Sequence, residues 1–383
     1  MDNNTPFLVG IIADDLTSAT DGAAPFLAKG HAPLIARDTG GVERRAVVAI
    51  DTHSRASTTE MAEMATAAAV AALAEARLLF KTIDSTLRGH VRAEIVAAFR
   101  ASRRTRLVIA PAFPEAGRLT VGGIQHVNGV PVSDSVYGRD PVHPALTSRI
   151  ADLVDPSLGQ PVILSQVGSD VTAPVLILDA DSQSALNWQV RRIPDPETVL
   201  WVGSPGLAIA LATLVATAPK GQPTKDEIAC RVLIVAGSAN PVAHGQCDAL
   251  QAQGVRVVTD LTEAPGDAPV LCLRAPPERQ NAAAVLVHLV TQAATALARR
   301  DYDVVIATGG ETMAAILDRL GIRRFTLAGE MEPGFPVGRA EQMDGTLLTI
   351  AMKAGGFGTP ATLLNAARAL SGGTISRKAL TND

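Results

Sequence analysis

The stretch FLVGIIADDLTSATDGA, residues 7–23, decides the fold. Its first seven residues, Phe7–Ala13, form an apolar run of strand length that two aspartates end abruptly. A short strand that is apolar throughout, rather than alternating, is buried on both faces, the pattern of parallel sheets covered by helices. Ligands of open α/β sheets bind beyond the carboxyl ends of the strands, so Asp14 and Asp15 stand where chemistry is done. One carboxylate there can accept a proton from a substrate hydroxyl while the other holds a polyol. A plainer use of Asp at this point is to cap the next helix, and position alone leaves the two readings level.

The same rhythm extends in both directions. Apolar runs at Pro33–Ala36, Ala46–Asp51, Leu78–Lys81, Leu107–Pro111, Pro161–Leu164, Val175–Asp179 and Val199–Gly203 alternate with alanine-rich segments of helix length. The clearest helix is Thr58–Ala76, with Ser57 expected as N-cap and Glu60 completing a capping box. A further helix is expected at Pro205–Thr217. Residues Pro114–Pro144, rich in Gly, Pro and polar side chains, are expected to be mostly loop. The segment TAPKGQPTKDE, residues 217–227, is the most linker-like in the chain, which predicts domains 1–222 and 223–383. After it the alternation restarts, with strands at Arg231–Ala236, Val255–Val258, Val270–Leu273, Val304–Ala307, Phe325–Ala328 and Thr346–Met352. Helices are expected between them at Pro241–Gln253, Gln280–Arg299 and Thr312–Leu320, and after them at Pro360–Leu370. The expected class is α/β, two α/β domains with largely parallel sheets.

Composition agrees and excludes other classes. At 383 residues the chain is too long for one compact core. Hydrophobic residues make up 47% but aromatics only 3%, so the cores are aliphatic. The 34 basic and 38 acidic residues leave a net charge of −4, which gives no field for nucleic acid or an anionic membrane surface. The apolar stretches, such as Leu207–Ala218, are shorter than a membrane span, which needs about 18 residues. The N-terminus lacks a basic segment before its apolar run, so the protein is expected in the cytoplasm. Cys230, Cys247 and Cys272 show no metal-ligand spacing and are expected to be buried thiols in a reducing compartment.

Lysines are scarce, and one of them opens KTIDSTLRGH, residues 81–90, directly after a strand. Lys81, Thr82, Asp84, Ser85, Thr86 and Arg88 crowd hydrogen-bonding groups into eight positions. A Lys beside an Arg suits a carboxylate or phosphate, the Lys as a point charge and the Arg as a planar fork. The alternative is a capped helix start with a solvated face.

In the second half, strands run into GSANP (237–241), TGGET (308–312) and KAGGFGT (353–359). Glycines let backbone N–H groups approach an anion, and a helix N-terminus adds a favourable dipole, so the three loops together suit phosphate. No Walker-type lysine loop exists. Residues 356–361 match a relaxed G-x-G-x-x-A dinucleotide pattern, but the match falls at the end of the domain, with no following strand to supply a ribose-binding acid.

Taken in order, ADDLTSATD, KTIDSTLRG, GSAN, TGGET, EPGFPVG and KAGGFG resemble the motifs of the four-carbon acid sugar kinase family, ATP-dependent kinases of tetronates and 3-oxotetronates. Ser18, Asn240 and Val337 depart from that family's usual residues. The resemblance implies a substrate domain followed by a nucleotide domain, with the active site in the cleft between them. It places Asp14, Asp15, Lys81, Asp84, Ser85 and Arg88 at the acid sugar. Ser238, Gly309, Gly310, Glu311, Thr312, Gly355 and Gly356 fall to ATP, with Lys353 adding charge to its loop. The expected reaction is phosphorylation of D-threonate, D-erythronate or a 3-oxotetronate at its terminal hydroxyl. Asp15 is expected as the base, with Asp14 as the alternative. Phosphoryl transfer is mostly positioning and charge neutralisation, so Mg²⁺ is expected on the phosphates, with no ligand residues assigned. Homo-oligomerisation is left open. The rivals are a nicotinamide-dependent dehydrogenase of small hydroxy acids, resting on the 356–361 pattern, and a two-lobed sugar-acid binding protein.

Overall fold

The structure is a computed structural model and describes residues 6–140, 143–165, 171–218, 230–238, 240–263, 268–276 and 281–372. The chain divides into two compact units, Met1–Lys220 and Gly221–Asp383. The expected boundary near residue 222 and most of the linker-like segment lie outside the described residues.

In the first unit the chain forms β1 (Val9–Ala13), α1 (Leu16–Ala23), β2 (Leu34–Ala36), β3 (Val47–Asp51), α2 (Thr59–Ala72), β4 (Leu78–Thr82), α3 (Val91–Ser102) and β5 (Arg106–Ala110). It continues through β6 (Arg118–Val121), β7 (Ile124–Val127), β8 (Val130–Pro131), β9 (Val162–Leu164), β10 (Val175–Leu178), α4 (Gln183–Arg192), β11 (Val199–Gly203) and α5 (Pro205–Ala212). The main sheet runs β2-β3-β1-β4-β11-β5-β10-β9 with every neighbouring pair parallel. Every residue of β1, β3, β4 and β11 is buried, as the all-apolar runs require. Register aligns the ends: Ala13 lies beside Asp51 and Ile12 beside Lys81, so the segments after β1, β3 and β4 leave the sheet together.

Two details differ from the sequence expectation. Helix α2 is capped by Thr58, whose hydroxyl accepts from the Met61 N–H, and not by Ser57. Ser57 is drawn away because its own hydroxyl donates to the Ser54 carbonyl at 2.7 Å. The segment expected to be loop contains β6, β7 and β8, a small antiparallel sheet of its own. Its short strands, broken by Gly122, Gly123 and Gly129 at positive φ, carry no long apolar run that would betray them.

The second unit contains β12 (Val232–Ala236), α6 (Pro241–Ala252), β13 (Arg256–Val258), β14 (Val270–Arg274), α7 (Ala282–Ala298), β15 (Val304–Thr308) and α8 (Gly310–Arg319). After these come β16 (Arg324–Glu330), β17 (Pro336–Glu341), β18 (Leu347–Lys353) and α9 (Thr362–Ser371). Its strands β13-β14-β12-β15-β18 are parallel, and β17 and β16 continue the order antiparallel. Strand β17 was not expected, since Gly338 and Arg339 interrupt its apolar character. Ala236 pairs with Thr308 and Thr308 with Lys353, so the three glycine loops emerge side by side. Cys247 and Cys272 are buried with their sulfurs 3.8 Å apart, whereas Cys230 is only half-buried. Among the described residues no helix is long and apolar enough to cross a membrane.

Candidate functional site

The first polar cluster grows from the aligned ends of β1, β3 and β4. Asp15 is the N-cap of α1, and its carboxylate accepts from the Ser18 N–H at 2.6 Å. Asp14 is 3% exposed and receives a two-pronged contact from Arg55, Nε at 2.7 Å and Nη2 at 3.0 Å. The same guanidinium pairs through Nη1 with Asp15 and donates from Nη2 to the Ser18 hydroxyl at 3.0 Å. One arginine therefore spans both aspartates, and the carboxyls respond in opposite directions. Burial works against the charge of Asp14, yet Arg55 and Lys81 outweigh it and hold that carboxyl down at about 2. Burial, reinforced by the charge of Asp14, pushes the Asp15 carboxyl above its ordinary range despite Arg55. The capping role and a chemical role for Asp15 are thus compatible, since the cap uses Oδ1 while Oδ2 meets Arg55.

The segment after β4 behaves differently from residue to residue. Asp84 folds the turn, accepting from the Thr86 N–H at 3.1 Å and from its hydroxyl at 2.8 Å. Arg88 donates from Nε to Asp84 at 2.5 Å and from Nη1 to Asp140 at 3.2 Å, with its guanidinium over the Tyr137 ring. The arginine keeps 29% of its side chain open, and Ser85 is half-buried. Lys81 does not face outward as expected. It is 0% exposed, and its ammonium pairs with Glu94 at 2.9 Å and donates to the Thr82 carbonyl at 2.8 Å. An enclosed ammonium needs a counter-charge, and Glu94 on α3 supplies it, tied in turn to Ser54 at 2.5 Å. The charge of Lys81 acts on Asp14 from beneath the cluster.

Sequence reasoning passed over Arg55, Glu94, Asp51 and Arg37. Arg55 was detectable by the logic applied to Asp14, because Thr52–Arg55 is the polar segment leaving β3. Asp51 ends that strand, 2% exposed, accepting from the His53 N–H at 2.8 Å and lying 4.0 Å from Arg37. Burial pushes its carboxyl up to about 6.

In the second unit the three loops interlock. A methyl added at Gly355 would lie 2.6 Å from Cβ of Ser238, one at Gly356 3.0 Å from Nδ2 of Asn240, and one at Gly237 3.1 Å from Cγ2 of Thr312. The glycines are there so that the loops can touch one another. Gly309, at φ 98°, precedes α8 and offers it no side-chain cap, so the first-turn N–H groups at Gly310, Glu311 and Thr312 make an arrangement that suits an anion. Thr312 is buried; Gly309 and Gly310 are half-buried and Glu311 is exposed. Ser238 meets the third loop, and its hydroxyl accepts from the Asn240 N–H at 3.2 Å. Lys353 is 1% exposed and donates to the carbonyls of Ala354 at 3.0 Å and Phe357 at 2.9 Å, so it ties down its own loop and does not reach outward. Burial draws its pKa down to about 8. The uncapped helix and the interlocked glycine loops fit a nucleotide triphosphate. Among the described residues no group of three or more His, Cys, Asp or Glu side chains is arranged to hold a metal ion.

Comparison with known proteins gives a consistent result. A family model described as a sugar-binding N-terminal domain matches residues 9–211, and one described as a nucleotide-binding C-terminal domain matches residues 271–363. The D-threonate kinase of Salmonella typhimurium is 30% identical over 93% of this chain and 96% of its own. The 3-oxo-tetronate kinase of Brucella melitensis is 28% identical over 94% of each chain. A crystal structure of a Salmonella typhimurium protein shares the fold, with a TM-score of 0.81 over 94% of this chain and 99% of that one at 22% identity.

Proposed function

The chain belongs to the four-carbon acid sugar kinase family, and from that premise we propose that it transfers the terminal phosphoryl group of ATP to the terminal hydroxyl of a D-threonate, D-erythronate or 3-oxotetronate. The observation that carries the mechanism is the unequal treatment of two adjacent carboxylates by one arginine. Asp14, gripped by both prongs of Arg55, is too weak a base to take a proton. Asp15, raised by burial and by its neighbour, is the base that orients the attacking hydroxyl and accepts its proton. Arg88, Asp84 and Ser85 meet the acid sugar, with the arginine fork suited to its carboxylate. Lys81 acts at one remove, through Glu94 and the field it places on Asp14.

In the second unit the N–H groups opening α8 and the loops at Ser238 and at Gly355–Gly356 hold the triphosphate. A Mg²⁺ bound with those phosphates would supply neutralisation of the charge that develops in transfer. The dehydrogenase reading loses its one motif, because Gly356 approaches Asn240 and a methyl at Gly358 would lie 2.9 Å from Cβ of Thr362. Those glycines already have a packing role.

The test is Asp15→Asn, which keeps the cap to Ser18 but removes basicity. The expected result is a fall in kcat of about 10²- to 10⁴-fold with ADP affinity and melting temperature close to the parent. A near-parental kcat would refute Asp15 as the base, and ATP turnover with none of these acids would refute the substrate class.

A further inference from the structure

Beyond the loops themselves, two enclosed side chains converge on one carbonyl. Gln246, on α6, is 0% exposed, and its Nε2 donates to the carbonyls of Phe357 at 3.0 Å and Thr359 at 2.9 Å. The Lys353 ammonium reaches the same Phe357 carbonyl at 2.9 Å from the other end of the loop, and the Ala354 carbonyl at 3.0 Å. Between these anchored carbonyls lie Gly355 and Gly356, which have no side chains with which to hold themselves in place. Within the loop the Phe357 N–H closes on the Ala354 carbonyl at 3.0 Å, and the Phe357 carbonyl is held from outside the loop, by Gln246 and Lys353.

We infer that Gln246 and Lys353 are positioning residues of the nucleotide site, which fix the 354–359 loop through the Phe357 carbonyl and so set nucleotide affinity without touching the acceptor. The inference rests on the kinase reading, and it gives Lys353 the task of shaping a loop rather than binding phosphate. It also assigns a role to Gln246, which lies outside every glycine motif. Gln246→Glu keeps the volume but loses both donors, placing a carboxylate against two carbonyl oxygens. Gln246→Met keeps the length and offers nothing to them.

The experiment uses the full chain. ADP affinity is measured by calorimetric titration, and KM for ATP and for D-threonate by turnover, in the parent, Gln246→Met, Gln246→Glu and Lys353→Met. The expected result is a rise of about ten- to a hundredfold in the ADP Kd and in KM for ATP, the effect of taking a side-chain donor from the Phe357 carbonyl and loosening the loop that it anchors. The KM for D-threonate should stay within about twofold, which a general loss of structure would not allow. Parental ADP affinity in any folded variant, or parallel losses for both substrates, would overturn the inference. Failure of all three variants to fold would overturn it as well, by making the residues structural. If the parent binds no ADP, the kinase reading falls and the inference falls with it. A parent that binds ADP beside variants that bind it equally well removes the inference alone.

Discussion

The polar ends of the two units are built from different materials. In the first, charged side chains lock against one another: Arg55 on Asp14 and Asp15, Lys81 on Glu94, Arg88 on Asp84 and Asp140. In the second, the surface around Gly309 and Gly355 is backbone, brought close by missing side chains and held by donors behind it. A small acid with hydroxyls of defined stereochemistry is read by directional, charged side chains. A triphosphate, rich in equivalent oxygens, is met by rows of N–H groups. The difference implies that the first unit is vulnerable to loss of charge and the second to gain of volume.

The largest effect should come from breaking the most deeply buried pair. Lys81→Met leaves the Glu94 carboxylate, 2% exposed, with the Ser54 hydroxyl as its remaining short partner. Removing one member of a buried pair costs about 3 to 5 kcal/mol. Thermal unfolding should show a fall of about 10 °C in the transition of the first unit, and Glu94→Gln added to Lys81→Met should recover part of it. A fall below about 1 kcal/mol would mean that the pair is solvated and the contrast between the units overstated.

Gain of volume is the matching test in the second unit. Gly355→Ala places a methyl 2.6 Å from Cβ of Ser238, too close for rotation of the serine hydroxyl to relieve. The first and third loops must separate, and ADP affinity should drop about ten- to a hundredfold, in line with the cost of overpacking. Stability should change little by comparison, because the loop is at the surface. Unaltered ADP binding would show that the close approach is incidental to the nucleotide.

These contrasts explain what the sequence could tell. Strands such as Val9–Ala13 and Val304–Thr308 were legible because burial on both faces leaves a continuous apolar run. Strand β17 was not, since Gly338 and Arg339 break its apolar run although most of it is buried, and neither was the sheet β6-β7-β8, whose short strands are parted by glycine turns. Asp14, Asp15 and the glycine loops were found because they directly follow strong strands. Arg55 follows a strong strand too, but hides four residues past its end. Glu94 and Gln246 lie on helices among ordinary neighbours, and only the fold brings them to Lys81 and Phe357. Position along the chain can suggest that Lys81 and Lys353 matter. Only burial shows that both face inward, toward a carboxylate in one case and toward carbonyls in the other.

The smallest expected effect is a pH dependence that belongs to the first unit. Asp51, 2% exposed, is pushed up to about 6 from an ordinary 3.8, chiefly by burial and with help from Asp15, while the His53 N–H and Arg37 pull the other way. Between those two values the folded chain keeps a proton that the unfolded chain has released. The stability this confers is therefore complete below about pH 4 and is lost as pH rises through 6. Asp14, held at about 2, has the opposite sign, with its contribution present above pH 4 and lost in acid as pH falls through 2. Asp51→Asn isolates the first effect, because Asn mimics the protonated acid and its carbonyl can still accept from the His53 N–H. Compared at each pH, parent and variant share the Asp14 contribution, so it cancels. At pH 4 the two should melt together, and by pH 7.5 the variant should be the more stable, by on the order of 1 to 2 kcal/mol. Stability curves that stay parallel across this range would place Asp51 in contact with water or with a stronger cation. They would also remove the case for a carboxylate at the end of β3 that burial, and not pairing, controls.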